Sequence, residues 1–173
     1  MTHVERVAAF DRLRERYLRL LTAVLWNLTG DRELFAEPMQ NALLGLWRHV
    51  EKLDTEQAAS YIYRIALSAS AKAWRQRTGR NGDIHPRPPG ADDSPETRTR
   101  RAELITLVRR TISGLPEQQG RAVVMRYFEQ QDYSAIATGL GCSEAAARSH
   151  VSKAVATLRR KLATKQERDH GEV

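Results

Sequence analysis

Residues 133–162, YSAIATGLGCSEAAARSHVSKAVATLRRKL, decide the reading of the C-terminal half. Gly141 tolerates the left-handed conformation that ends a helix, so it divides this stretch in two. Before it, Ile136, Ala137 and Leu140 share one side of a short helix for which Ser134 is the expected cap. After it, Cys142 is small enough to fill a tight turn, and Ser143 is placed to cap a second helix. Ala147, Val151, Ala154 or Val155, Leu158 and Leu162 recur at helical spacing as that helix's inward stripe. Arg148, Ser149, Ser152 and Lys153 project from the other side. A short helix, a glycine turn and a capped helix with polar outward residues form the helix-turn-helix plan, whose second helix enters the DNA major groove. Small helix pairs also occur in proteins that bind no DNA. The alanines at the close approach, the cap and the basic tail through Arg159 and Arg160 favour DNA here.

Upstream, Leu104, Leu107, Val108 and Ile112 predict a helix ended by Gly114 and Pro116. Pro116-Glu117 then opens another helix, burying Ala122, Val123, Met125 and Tyr127. Residues 79–100, GRNGDIHPRPPGADDSPETRTR, hold four of the six prolines and little that is apolar beyond Ile84 and Ala91. Such a stretch cannot offset its ordering entropy and reads as a flexible linker.

The N-terminal half is helical too. Val7, Phe10, Leu13, Tyr17, Leu20, Leu21, Val24 and Leu25 repeat at three and four residues, and Asn27–Gly30 ends that helix with Asp31 as the next cap. Met39, Leu43, Leu46, Trp47 and Val50 mark a second helix, in which Pro38 predicts a break or kink within residues 34–38. A third helix is expected from Thr55 or Glu56 to Arg77, with Ile62, Ile65, Ala66, Ala69, Ala73 and Trp74 inward. No alternating period-2 pattern is present. The expected fold is all-α: a helical domain over 1–78, a linker over 79–100, a helix-turn-helix domain over 101–165 and a disordered tail over 166–173.

Charge and composition narrow the function classes. The 173 residues carry a net charge of +7 with a pI near 10.0. By segment, residues 1–78 hold 12 basic and 9 acidic side chains, 79–100 hold 4 and 4, and 101–173 hold 12 and 8. A neutral linker thus separates two basic halves, which favours an anionic partner. In the last half the basic run over residues 148–168 also fits a solvated helical face. One cysteine excludes a disulfide framework, and no apolar run has the length of a membrane span. The N-terminus lacks a signal-peptide pattern, so a cytoplasmic location is expected. His3, His49, His85, His150 and His170 are scattered without ligand spacing, and there is no glycine-rich phosphate loop. Asp92-Asp93 falls in the linker. Catalysis, a metal and a cofactor are therefore not expected.

LPEQQGRAVVMRYFEQQDYSAIATGLGCSEAAARSHVSKAVATLRRKL resembles region four of the extracytoplasmic-function sigma factors, the two-domain class of bacterial RNA polymerase sigma subunits. GDRELFAEPMQNALLGLWR and YIYRIALSASAKAWRQR are similar to that family's region two, and the resemblance covers about residues 10–162. Two motifs in the right order across a linker are far more specific than either alone.

The resemblance implies promoter DNA and core RNA polymerase, through the β′ clamp and β flap, as partners, with an anti-sigma protein as a further candidate. It implies that Ser143, Ala146, Arg148, Ser149, His150, Ser152, Lys153, Arg159 and Arg160 read a −35 duplex. Tyr61, Tyr63, Arg64, Ser68, Lys72, Trp74, Arg75 and Arg77 would engage a melted −10 element. For Trp74 a packing role competes. Core docking would fall to Glu37, Gln40, Asn41, Leu43, Leu44 and Trp47.

The chain also departs from the family pattern. Pro38 and Asn41 stand where the docking helix usually has further acidic residues. Ser68 replaces a common Asn, Lys72 an Asp, and His150 a frequent Arg. The missing acidic pair keeps open a second reading, a helix-turn-helix regulator that is not a polymerase subunit.

Overall fold

The computed structural model describes residues 1–53, 55–80 and 94–171. Among them are seven α-helices: α1 (His3–Thr29), α2 (Arg32–His49), α3 (Thr55–Arg80), α4 (Pro95–Ser113), α5 (Glu117–Val123), α6 (Tyr133–Leu140) and α7 (Glu144–Gly171). A 3₁₀ turn, Val50–Lys52, follows α2, and a π-helical turn, Val124–Phe128, continues α5. No strand occurs among the described residues.

Local chemistry sets the helix ends. Thr2 and Glu5 form a capping box at the start of α1, each side chain accepting from the other's backbone N–H. Gly30, at φ 69°, ends α1 with its N–H bonded to the Trp26 carbonyl. Asp31 Oδ1 then accepts from Glu33 N at 2.7 Å and Leu34 N at 3.4 Å, capping α2.

Of the break or kink expected within residues 34–38, the break does not occur. The helix runs from Arg32 to His49 with Pro38 inside it. The ring is fully buried, and that apolar burial offsets the missing N–H to Leu34.

Helical structure extends into the expected linker and tail. Ser94 caps α4 by accepting from Thr97 N at 3.3 Å, so residues 95–100 of the expected linker are helical. Pro95 at the first turn suits helix initiation. At the other ends, α3 continues to Arg80, and residues 166–171 extend α7 where a tail was expected. Residues 81–93 of the expected linker and residues 172–173 lie outside the described residues.

One apolar core runs through both halves. Leu21, Val24, Leu25 and Leu28 of α1, Leu46 of α2 and Ile62, Ala66 and Leu67 of α3 join Ile112, Val123, Val124, Ile136, Ala147 and Val151 from the C-terminal half. Fully burying each Leu or Ile contributes about 1.5–3 kcal/mol. Leu34, Ala73 and Trp74 form a small second cluster.

Polar contacts reinforce the junction between the halves. Arg109 of α4 donates from Nε to the Asn27 carbonyl at 3.1 Å, at the end of α1. That helix has no basic residue in its own last turn, so a cation from the other half meets its C-terminal carbonyls. Burial lowers the Arg109 pKa from the ordinary guanidinium value. Arg121 of α5, only 5% exposed, donates to Ser60 Oγ of α3 and to the Gly139 carbonyl of α6 at 2.7 Å. Its pKa is lowered first by burial, against the nearby Glu117 carboxylate.

Candidate nucleic-acid interface

The helix-turn-helix is built as its residues suggest, with one change of cap. Asp132, not Ser134, caps α6, its Oδ1 accepting from Ala135 N at 2.8 Å. Ser134 lies inside the helix and is exposed. Gly141 turns the chain at φ 68°, and Ser143 Oγ accepts from Ala146 N at 3.2 Å at the start of α7. Cys142 is half-buried. Ala147, Val151 and Ala154 are buried against α5 and α6, while Val155, Leu158 and Leu162 are half-buried.

The opposite face of α7 is open. Ser143, Arg148, Ser149, Ser152, Lys153, Arg159 and Arg160 are exposed, with Ala146 and His150 half-buried beside them. These residues share one surface, as their spacing requires. Glu144 is their near acidic neighbour, 3.5 Å from Arg148 as an i,i+4 pair.

The α3 candidates are divided. Arg64, Ser68, Lys72 and Arg75 are exposed, and Tyr61 is half-buried. The Tyr61 hydroxyl lies 2.7 Å from His49 Nδ1 and 3.2 Å from the Gly45 carbonyl, and Arg64 lies over its ring. Burial raises the Tyr61 pKa, against the opposing charge of Arg64. Tyr63, by contrast, is buried at 4% exposure, with its hydroxyl accepting from Gln131 Nε2 at 3.3 Å. Burial, assisted by the Glu129 charge, pushes its pKa up to about 12. Trp74 is buried as well, its Nε1 donating to the Leu28 carbonyl at 3.0 Å. In this arrangement both aromatics are packed and closed to a base. Arg77 pairs with Asp31 at 2.5 Å, tying α3 to the start of α2. Burial alone would raise the Asp31 pKa, but the Arg77 hydrogen bond and charge and the two backbone N–H groups lower it overall.

The C-terminal half lies across much of this α3 face. Tyr61, Arg64, Ser68 and Arg75 line a cleft of about 520 Å³ whose other wall includes Ser113, Leu115 and Glu117. A wider cleft of about 1150 Å³ runs from Tyr61, Tyr63 and Arg64 to Arg121, Asp132 and Gly139, with Arg16 of α1 at its side.

On α2, Glu37, Gln40 and Leu44 form an exposed strip, Leu44 at 45%. Asn41 is half-buried, 3.5 Å from Glu37, and Leu43 packs on the core. Trp47 is held from α1, with the Phe10 ring at 5.4 Å, edge-on, and the Arg6 guanidinium over it at 4.8 Å. The six docking candidates therefore share a helix but not a surface.

Sequence reasoning missed three features here. Tyr127, expected inward, is 58% exposed because the π-helical turn rotates it out of the helical register of Ala122 and Val123. Tyr133 was given no role, yet its ring faces two arginines. The Arg121 contact was also unforeseen; its one signal is a cation preceding the apolar run Ala122–Met125.

Among the described residues, no group of three or more His, Cys, Asp or Glu could hold a metal ion. Nor is any helix among them long and apolar enough to cross a membrane.

Comparison with known families matches residues 13–80 to Sigma-70 region 2 and residues 105–158 to Sigma-70, region 4. The chain is 28% identical to the RNA polymerase sigma-H factor of Pseudomonas aeruginosa, the match covering 87% of each chain. It is 27% identical to the ECF RNA polymerase sigma-E factor of Haemophilus influenzae, over 92% of this chain and 93% of that one. It is 28% identical to the RNA polymerase sigma-E factor of Streptomyces coelicolor, over 86% and 85%.

Proposed function

From the premise that this chain belongs to the sigma-70 family, as an extracytoplasmic-function sigma factor that directs transcription initiation, we propose how its halves divide the work. Sigma factors bind core RNA polymerase and promoter DNA and are initiation factors rather than catalysts.

The α7 face reads the −35 duplex. Arg148, Ser149, Ser152 and Lys153 meet base edges and phosphates, with Ser143, Ala146 and His150 at the margin and Arg159 and Arg160 on the backbone. The open polar face on a turn built from Gly141 and Ser143 is the observation that carries this reading. On α3, Arg64, Ser68, Lys72 and Arg75 face the melted −10 strand, and Tyr61 offers a ring for stacking. Tyr63 joins them only when α5 and α6 leave α3, because it lies in the cleft between the halves. Trp74 and Arg77 serve by holding α3 in place.

Glu37, Gln40 and Leu44 meet the β′ clamp, with Asn41, Leu43 and Trp47 supporting them, and the C-terminal half meets the β flap. Residues 1–78 and 101–165 act as the two functional units, joined through 79–100, in the cytoplasm. An anti-sigma protein covering both units is a further partner.

Reconstitution tests the division. The full chain added to core polymerase should yield transcripts from one defined start. Arg148→Ala should weaken capture of the closed duplex, whereas Lys72→Ala should slow strand opening. The division fails if both substitutions affect the same step, or if core polymerase is not bound at low salt.

A further inference from the structure

Arg148 is held from outside its own helix. Its guanidinium carbon lies 4.2 Å from the centroid of the Tyr133 ring. Tyr133 is the first residue of α6, directly after the Asp132 cap, and is half-buried against the core. The Arg126 guanidinium lies 5.0 Å from the same ring, and Arg126 is itself anchored by donating to the Gln131 carbonyl at 2.8 Å. The ring is therefore fixed by the core and by an anchored neighbour. Beside it a shallow groove of about 510 Å³ opens between the π-helical turn and α7, lined by Tyr127, Tyr133, Arg148, Ser152, Val155 and Arg159.

We infer that Tyr133 is a positioning residue for DNA recognition, its ring holding the Arg148 guanidinium in the pose from which it meets the duplex. The inference rests on the reading of α7 as the −35 face. A free arginine on an exposed helix face loses rotamer freedom when it binds, and a stacked one has lost much of it beforehand. Stacking also occupies the flat face of the guanidinium and leaves its in-plane N–H groups available to a guanine edge or a phosphate. Glu144 acts differently. Its carboxylate engages Nη2 at 3.5 Å and so competes with DNA for a donor. The ring orients Arg148 without that competition.

The test uses holoenzyme assembled from the full chain and core polymerase. Its probe is a duplex that the wild-type holoenzyme recovers from a randomised pool, with a scrambled duplex as reference. Tyr133→Leu should weaken specific binding by about two- to fivefold, the scale of an exposed cation–π contact. Tyr133→Phe, which keeps the ring, should restore it. In an Arg148→Ala background, Tyr133→Leu should add nothing. Losses that simply add, or a Phe variant as weak as the Leu variant, would overturn the positioning role, as would a folded Leu variant that binds like wild type. Should the Leu variant fail to fold, Glu144→Gln decides. Unchanged or tighter binding supports the ring as the positioner; weaker binding assigns that role to the carboxylate. If Arg148→Ala itself binds like wild type, the −35 reading of α7 falls and the inference goes with it. If only the Tyr133 variants are silent, the reading survives.

Discussion

Helices α3 and α7 are both long, and both carry basic and polar residues proposed to face DNA. On α7 that face stands open, and the apolar stripe behind it packs on α5 and α6. On α3 one surface serves twice. Tyr61, Tyr63, Arg64 and Ser68 border clefts whose far walls come from the C-terminal half. The surface proposed to read duplex is therefore open in the free chain, whereas the surface proposed for melted DNA is partly covered by the other half. The order matches that of initiation, in which duplex is met before strands open.

The sharpest way to break this asymmetry is Arg121→Ala. The substitution leaves the Gly139 carbonyl and Ser60 without their buried donor and opens a void between α3, α5 and α6. A loss of about 2–4 kcal/mol in unfolding free energy is expected. Hydrogen exchange should show the α3 amides around Tyr63 losing more protection than those of α7. Equal losses would mean that the two helices share one fate and that the contrast between them is only apparent.

A gentler wedge is Gly120→Val. A Cβ at residue 120 would already stand 3.3 Å from both methyls of Leu67 on α3, so a branched side chain must push α5 away. The cost should be about 1–3 kcal/mol, typical of overpacking. Affinity for single-stranded DNA should rise while affinity for the −35 duplex stays within about twofold, roughly the resolution of such comparisons. If the duplex affinity falls and the single-strand affinity does not rise, α5 supports α7 rather than covering α3.

Tyr63 reports the same closure through its proton. With the folded pKa at about 12 against an ordinary 10.0, the unfolded chain releases this proton first as pH rises. The stabilisation is therefore whole below pH 10 and is lost progressively from there to about pH 12. Beside Tyr61, whose pKa burial also raises, an ultraviolet titration should resolve Tyr63 as a late tyrosine in the wild-type chain. In the Gly120→Val variant the Tyr63 pKa should fall back toward the ordinary value. A Tyr63 pKa that does not move would place its burial inside the N-terminal half alone.

These contrasts also show which parts of the molecule were legible in its residues. Gly141 with Ser143, and Gly30 with Asp31, announced their turns because a positive φ and a cap are local requirements that few residues meet. Ser134 reads as a cap by residue type, but Asp132 two positions earlier is a capping residue too, and only the helix start separates them. Pro38 suggests a break that does not occur, because its local penalty is visible in the sequence and its compensating burial is not. Tyr63 and Trp74 show the deeper difficulty. An aromatic at helical spacing suits a core and a base platform equally well. Which one it serves depends on partners such as Gln131 and Leu28, 68 and 46 residues away. The links from Arg121 to Ser60 and from Arg109 to Asn27 span 61 and 82 residues, and no periodicity encodes them.

The finest test separates charge from shape on the two helices. Arg160 is exposed on α7 beyond the residues proposed to reach bases, and its proposed contact is a phosphate. Arg160→Gln should therefore weaken binding to matched and scrambled duplexes alike and reduce the slope of log affinity against log salt by about one. Lys72→Gln on α3 should leave that slope unchanged for the closed duplex. It should lower the slope by about 0.7 only when the probe is single-stranded. Both lysine and arginine are exposed, so exposure alone would make the two substitutions equivalent on every probe. A difference that depends on strand state would show that each helix meets its own form of DNA.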